Sequence, residues 1–149
     1  MIDANRLFGL FDDSDIPEEV KAEGLKLLKE EKESPTWKIN MFRKIISNHI
    51  NFHKKVTSFF KEKNKDWDDE IGKNHADLVV YNRGWYYIKD VDLNDKHYVY
   101  ELIIQDPYEL SYCLQLTLKY FENKEEFEKC AHIFKIINFL EEAFQDHLE

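Results

Sequence analysis

"NHADLVVYNRGWYYIKDVDLNDKHYVYELIIQ", residues 74–105, is the stretch whose reading decides the fold of this 149-residue chain. Leu-Val-Val-Tyr, Trp-Tyr-Tyr-Ile and Tyr-Val-Tyr-Glu-Leu-Ile-Ile are β-branched and aromatic runs of the kind that suit strands. As a sheet they would make a three-stranded antiparallel meander at 76–105, with Asn82-Arg83-Gly84 as a hairpin loop and the glycine left-handed. Against this, Ile71, Leu78, Tyr81, Trp85 and Ile88 recur at helical spacing. Trp85-Tyr86-Tyr87-Ile88 also lacks the alternation of a half-exposed strand. The helical reading is preferred, with Gly84 in a helix interior at a cost of roughly 1 kcal/mol relative to alanine. The expected fold is mostly α, a compact domain of about five to six helices ending in a helical hairpin. The α+β meander at 76–105 is the alternative.

Upstream of this stretch, Ile39, Phe42, Ile46, His49, His53, Val56 and Phe60 alternate at three and four and share one face of a helix over 35–64. Met41, Ile45, Phe52 and Phe59 widen that face, which marks the helix as a central spine with neighbours on more than one side. Its opposite face carries Lys44, Ser47, Asn51, Lys54, Lys55, Ser58, Lys61 and Lys65.

Three prolines and four glycines punctuate the chain sparsely, which favours helices over a many-turned sheet. Pro17 followed by Glu18 and Glu19 starts a helix over 17–33, with acids against the positive dipole end. Ser34-Pro35 reads as N-cap and first position of the next helix. Asp106-Pro107 with Glu109 reads as a capping box, and Asn123 with Glu126 as a further start. These boundaries give helices over 107–121 and 124–146.

Within that C-terminal hairpin, Phe127-Glu-Lys-Cys-Ala131 resembles the UVR motif and also half of a tetratricopeptide repeat, over residues 117–141. Either resemblance implies a protein-binding hairpin. Phe134-Lys135 stands where the UVR motif has Arg-Asp, and no second copy follows at a 34-residue period, so no repeat array is implied. The alternative is a plain amphipathic pair with Phe121, Phe127, Cys130, Phe134, Ile137 and Leu140 toward the core.

The length suits a single domain over 1–149, with 1–16 as an N-terminal arm. No apolar run approaches the roughly 18 residues needed to cross a bilayer, and Met1 is not followed by a basic, apolar leader, so the expected compartment is the cytoplasm. Cys113 and Cys130 read as reduced core thiols. The formal net charge of −9 is unevenly spread: −5 over residues 1–36, +7 over 37–65 and −11 over 66–149. In the simpler reading the acidic segments compensate the basic spine within the fold. In the sharper one, Lys44, Lys54, Lys55 and Lys61 stay open to phosphate or to an acidic protein surface, although the overall negative field disfavours nucleic acid.

Candidate chemistry is sparse. His49 and His53, at i and i+4, have the spacing by which two imidazoles share a metal, and His75-Ala-Asp77 has two further ligand types. Their place on an apolar seam favours buried, hydrogen-bonded histidines, so no metal or cofactor is expected. Asp66, Asp68, Asp69 and Glu70 around Trp67 read as helix-start acids. No phosphate-cradling loop, nucleophile elbow or Cys-x-x-Cys is present. In the arm, Leu7, Phe8, Leu10 and Phe11 ahead of Asp12 and Asp13 either pack on their own domain or serve as an acidic-hydrophobic recognition motif. The expectation is a non-catalytic protein-binding regulator or adaptor, of the inhibitor, immunity or phage-accessory kind, with another protein as partner and no membrane. A nucleic-acid-associated protein using the basic helix 38–65 and a metal-dependent hydrolase are the alternatives.

Overall fold

Gly84, which a hairpin would have needed in the left-handed region, lies inside a helix, and no glycine of the described residues has positive φ. The computed structural model describes residues 16–63 and 69–148. Its helices are α1 (Glu18–Glu33), α2 (Pro35–Lys63), α3 (Asp69–Ile88), α4 (Lys96–Ile104), α5 (Pro107–Asn123) and α6 (Phe127–Leu148). Among the described residues there is no strand, so the fold is all-α and the meander at 76–105 does not form. The physical reason is visible at Gly84 itself. A Cβ there would meet Ile46 Cδ1 at 3.2 Å and the Phe42 ring at 3.4 Å, so the bare position lets α3 press against α2. The propensity lost at glycine accompanies close helix packing.

The stretch is nevertheless broken once. After Ile88 the chain turns through residues 89–95, where Val91 N–H donates to Ile88 O and Asn94 N–H to Asp92 Oδ1. Asp95 then caps α4, accepting from His97 N–H at 2.9 Å. Asp106 does the same for α5, accepting from the N–H groups of Tyr108 and Glu109. That half of the expected capping box forms, while the Glu109 side chain reaches α2 instead, at Arg43 and Ser47.

Two other starts are corrected. Ser34 serves the end of α1, its hydroxyl and its N–H both donating to Glu31 O, because its extended backbone places the side chain back along the last turn. Asn123 closes α5 rather than opening α6. There Glu125 takes φ 58°, its N–H donates to Glu122 O, and Glu126 N–H donates to Phe121 O. These are the two bonds of a Schellman stop, made here without glycine.

Residues 1–34 and 35–149 are separate units. In the first, α1 has no buried residue, and Val20, Leu25, Leu27 and Leu28 are all exposed. In the second, a single core gathers Ile39, Phe42 and Ile46 of α2 with Tyr81 and Ile88 of α3, Leu102 of α4, Leu110, Leu114 and Phe121 of α5, and Ile133, Ile136 and Leu140 of α6. Helices α2 and α3 form one antiparallel pair and α5 and α6 another. The burial pattern departs from the expected faces in three places. Phe52 and Phe59 are exposed, as is Leu78 opposite them, because the core ends near His49 and Tyr81. Phe127 and Phe134 are exposed as well. Helix α6 carries two overlapping apolar stripes, and the packing seats Cys130, Ile133, Ile136, Ile137 and Leu140, turning Phe134 outward.

Candidate functional site

The periodic face of α2 ends in a polar cluster. His49 is buried, and its Nε2 lies 2.6 Å from Asp77 Oδ1 of α3. A carboxylate accepts, so Nε2 carries the proton and the imidazole is held in one orientation. The two rings against His49 are His53, stacked at 6.0 Å, and Tyr81, edge-on at 6.0 Å. Tyr81 in turn stacks on Tyr120 of α5 at 4.7 Å. Burial, with the Asp77 charge second, pushes the Tyr81 phenol up to about 12. Thus the sequence pair His49 and Asp77 does come together, as a hydrogen-bonded dyad walled by aromatic rings. Among the described residues no three His, Cys, Asp or Glu side chains are grouped so as to hold a metal. The nearby hydroxyl of Ser47 faces α5 instead, donating to Glu109 Oε1 at 3.1 Å and lying 3.6 Å from Cys113 Sγ. Burial raises the Cys113 and Cys130 thiols and so disfavours the thiolate form. The dyad joins α2 to α3.

The cations of the α2 spine have different surroundings. Lys38 pairs with Asp90 at 3.0 Å and Arg43 reaches Glu109 at 3.8 Å, so some of the spine's charge is compensated inside the fold. Lys44, Lys54 and Lys55 are exposed and pair with no carboxylate among the described residues. Lys61 lies on α2, with its side chain outside what is described. Leu7, Phe8, Leu10, Phe11, Asp12 and Asp13 lie outside the described residues, as do Lys65, Asp66 and Asp68.

A third feature went unnoticed in the sequence. Where α4, α5 and α6 meet, two adjoining depressions of about 320 and 260 Å³ share Pro107, Leu140 and Phe144 in their walls. Tyr108 and Tyr112 close one side, and Leu102 and Ile103 the other. The Tyr108 and Phe144 rings meet edge-to-face at 5.4 Å. Tyr108 is 75% exposed, a costly position for an aromatic ring in water. The signal was present locally: Asp106-Pro107 fixes the start of α5 and so leaves Tyr108 in its first turn, outside the core face. What could not be read was that Phe144, more than thirty residues on, would stand beside it.

Comparison with protein families, with curated proteins and with solved structures finds no match in any of the three. Among the described residues no helix is long and apolar enough to cross a membrane.

Proposed function

We propose that this protein acts by binding another protein, as a regulator or adaptor, and that the groove between α4, α5 and α6 is the binding surface. The observation that carries this reading is the pair of adjoining apolar depressions rimmed by Tyr108, with Ile103 and Tyr112 also exposed beside it. Each depression is of a size to receive a bulky apolar side chain, and their adjacency suits two anchors one helical turn apart on a partner helix. Aromatic side chains at the centre of such a groove are the residues that carry binding energy. Glu141 lies in the rim, and the chain's net charge is −9, so the partner segment flanks its apolar anchors with basic residues. The buried dyad His49–Asp77 has the character of a structural joint on this reading, and catalysis is not assigned to it.

The test is the affinity of basic amphipathic helical peptides measured by fluorescence anisotropy. Tyr108→Asp is expected to melt like the wild type and to weaken binding at least tenfold, whereas Phe134→Asp, also at an exposed aromatic but outside the groove, leaves binding intact. Equal affinity for wild type and Tyr108→Asp removes the groove from consideration. One observation favours a second reading, nucleic-acid association: Lys44, Lys54 and Lys55 are exposed and pair with no carboxylate among the described residues. Retention of a DNA duplex at low salt, with a steep loss as salt rises, distinguishes it.

A further inference from the structure

Buried polar side chains of this protein generally find partners. Thr117 donates its hydroxyl proton to Cys113 O at 2.8 Å, and His49 Nε2–H donates to Asp77 Oδ1 at 2.6 Å. Among the described residues two buried side-chain oxygens have none: Glu101 Oε2 and Gln105 Oε1. Their residues are 7% and 8% exposed. They belong to one place. Glu101 and Gln105 are four residues apart at the end of α4, so they lie on the same side of it. Each is tied to α2 by its other polar atom. Thr36 Oγ1 donates to Glu101 Oε1 at 2.5 Å, and Gln105 Nε2 donates to Asn40 Oδ1 at 3.1 Å. Thr36 and Asn40 are likewise four apart. The two helices thus form two polar rungs, and both orphan oxygens are acceptors of adjacent rungs.

A carboxylate this buried, held by one hydroxyl and by no lysine or arginine among the described residues, is a poor arrangement by itself. With its carboxyl ionised, Glu101 cannot satisfy Gln105 Oε1 nor be satisfied by it, and a positive group that takes oxygens from several sides satisfies both. We propose that Glu101 Oε2 and Gln105 Oε1, with Asn40 Oδ1 and Thr36 Oγ1 beside them, form a site for a monovalent cation. The donor set is all oxygen, which selects hard cations over the transition metals that prefer imidazole or thiolate. It contains one formal negative charge, which matches a single positive one, whereas protein sites for calcium use several carboxylates. Sodium, potassium and ammonium all meet this chemistry. Thr36 is exposed, so the site opens to solvent along the α2 edge.

The experiment is thermal unfolding of the full chain in sodium, potassium or ammonium chloride against choline chloride at equal ionic strength, with millimolar calcium and magnesium as further arms. Choline is bulky and has no N–H donor. Binding to the folded state alone raises Tm by roughly 3–6 °C per tenfold increase in cation above its Kd. Glu101→Gln is the decisive variant. Its retained oxygen still accepts from Thr36, and its new amide N–H donates to Gln105 Oε1. It is therefore expected to melt above the wild type in choline and to lose the response to the small cations. Thr36→Val, at an exposed position, keeps the fold and weakens the response. Identical wild-type melting in all the monovalent salts overturns the proposal. So does a response confined to calcium or magnesium, or one that Glu101→Gln or Thr36→Val leaves unaltered.

Discussion

Phe42 and Phe52 stand on the same helix, in the same pairing with α3, and one is completely buried while the other is 67% exposed. The contrast extends to everything around them. Toward the α2 N-terminus, Phe42 and Ile46 lie against a bare glycine of α3, and with Ile39 they join the core that α4, α5 and α6 complete. Beyond His49, α2 presents Asn51, Lys54, Lys55, Ser58 and Phe59 to solvent, and α3 presents Leu78 and Val79. The boundary is the polar cluster of His49, Asp77 and Tyr81. The difference teaches that apolar periodicity chooses a face of a helix, whereas burial requires something on that face. One half of the pair has the rest of the bundle as its partner. The other half has among the described residues only its sister helix.

The largest effect that tests this contrast comes from truncating the two phenylalanines. Phe42→Ala is expected to cost about 3–5 kcal/mol and Phe52→Ala less than about 0.5 kcal/mol, measured by chemical denaturation. Comparable losses at both sites would mean that the distal half is as much a part of the core as the proximal one. Next in size is the alkaline limb of stability. The Tyr81 phenol ionises near 10 in the unfolded chain and about 12 in the fold. Its contribution is therefore fully present below pH ~10 and is lost as pH rises from about 10 to 12, where the unfolded state releases its proton first. Tyr81→Phe is expected to flatten that fall by up to about 3 kcal/mol relative to wild type. Parallel pH profiles would place Tyr81 in water rather than at the closed edge of the core. The smallest effect is the coupling across the boundary. A double-mutant cycle with His49→Ala and Asp77→Ala should give about 1–2 kcal/mol, and a value near zero would show that the joint does not hold the halves together.

How much of this was legible from residues depends on how far each determinant reaches. Asp106-Pro107 named its helix start because capping is a matter of three residues, and it holds. Asp95 is the same device and escaped notice beneath the β-branched runs that surround it. The Asn123 boundary misled because the stop is made by backbone bonds around a left-handed Glu125, a residue type that carries no such signal. His49 and Asp77 both carry side chains able to ligate or titrate, yet their meeting depends on the register of α2 against α3, which no residue near either one announces. The choice between Phe134 and Ile133 on α6 likewise rests on where α5 lies. The groove and the oxygen pair of Glu101 and Gln105 needed three and two helices respectively, and no local pattern announces either. The acidic-hydrophobic arm read from Leu7 to Asp13 lies outside the described residues.

The two thiols have a practical corollary. Cys113 and Cys130 are the whole cysteine content of the chain, both buried and both held protonated by that burial. The folded protein is thus expected to react slowly with maleimides, without any prior removal of cysteines. A single cysteine introduced at exposed Ser58 or at exposed Phe127 becomes the preferred address for a fluorophore or spin label. The native sequence already supplies the blank background on which distances across the molecule can be read.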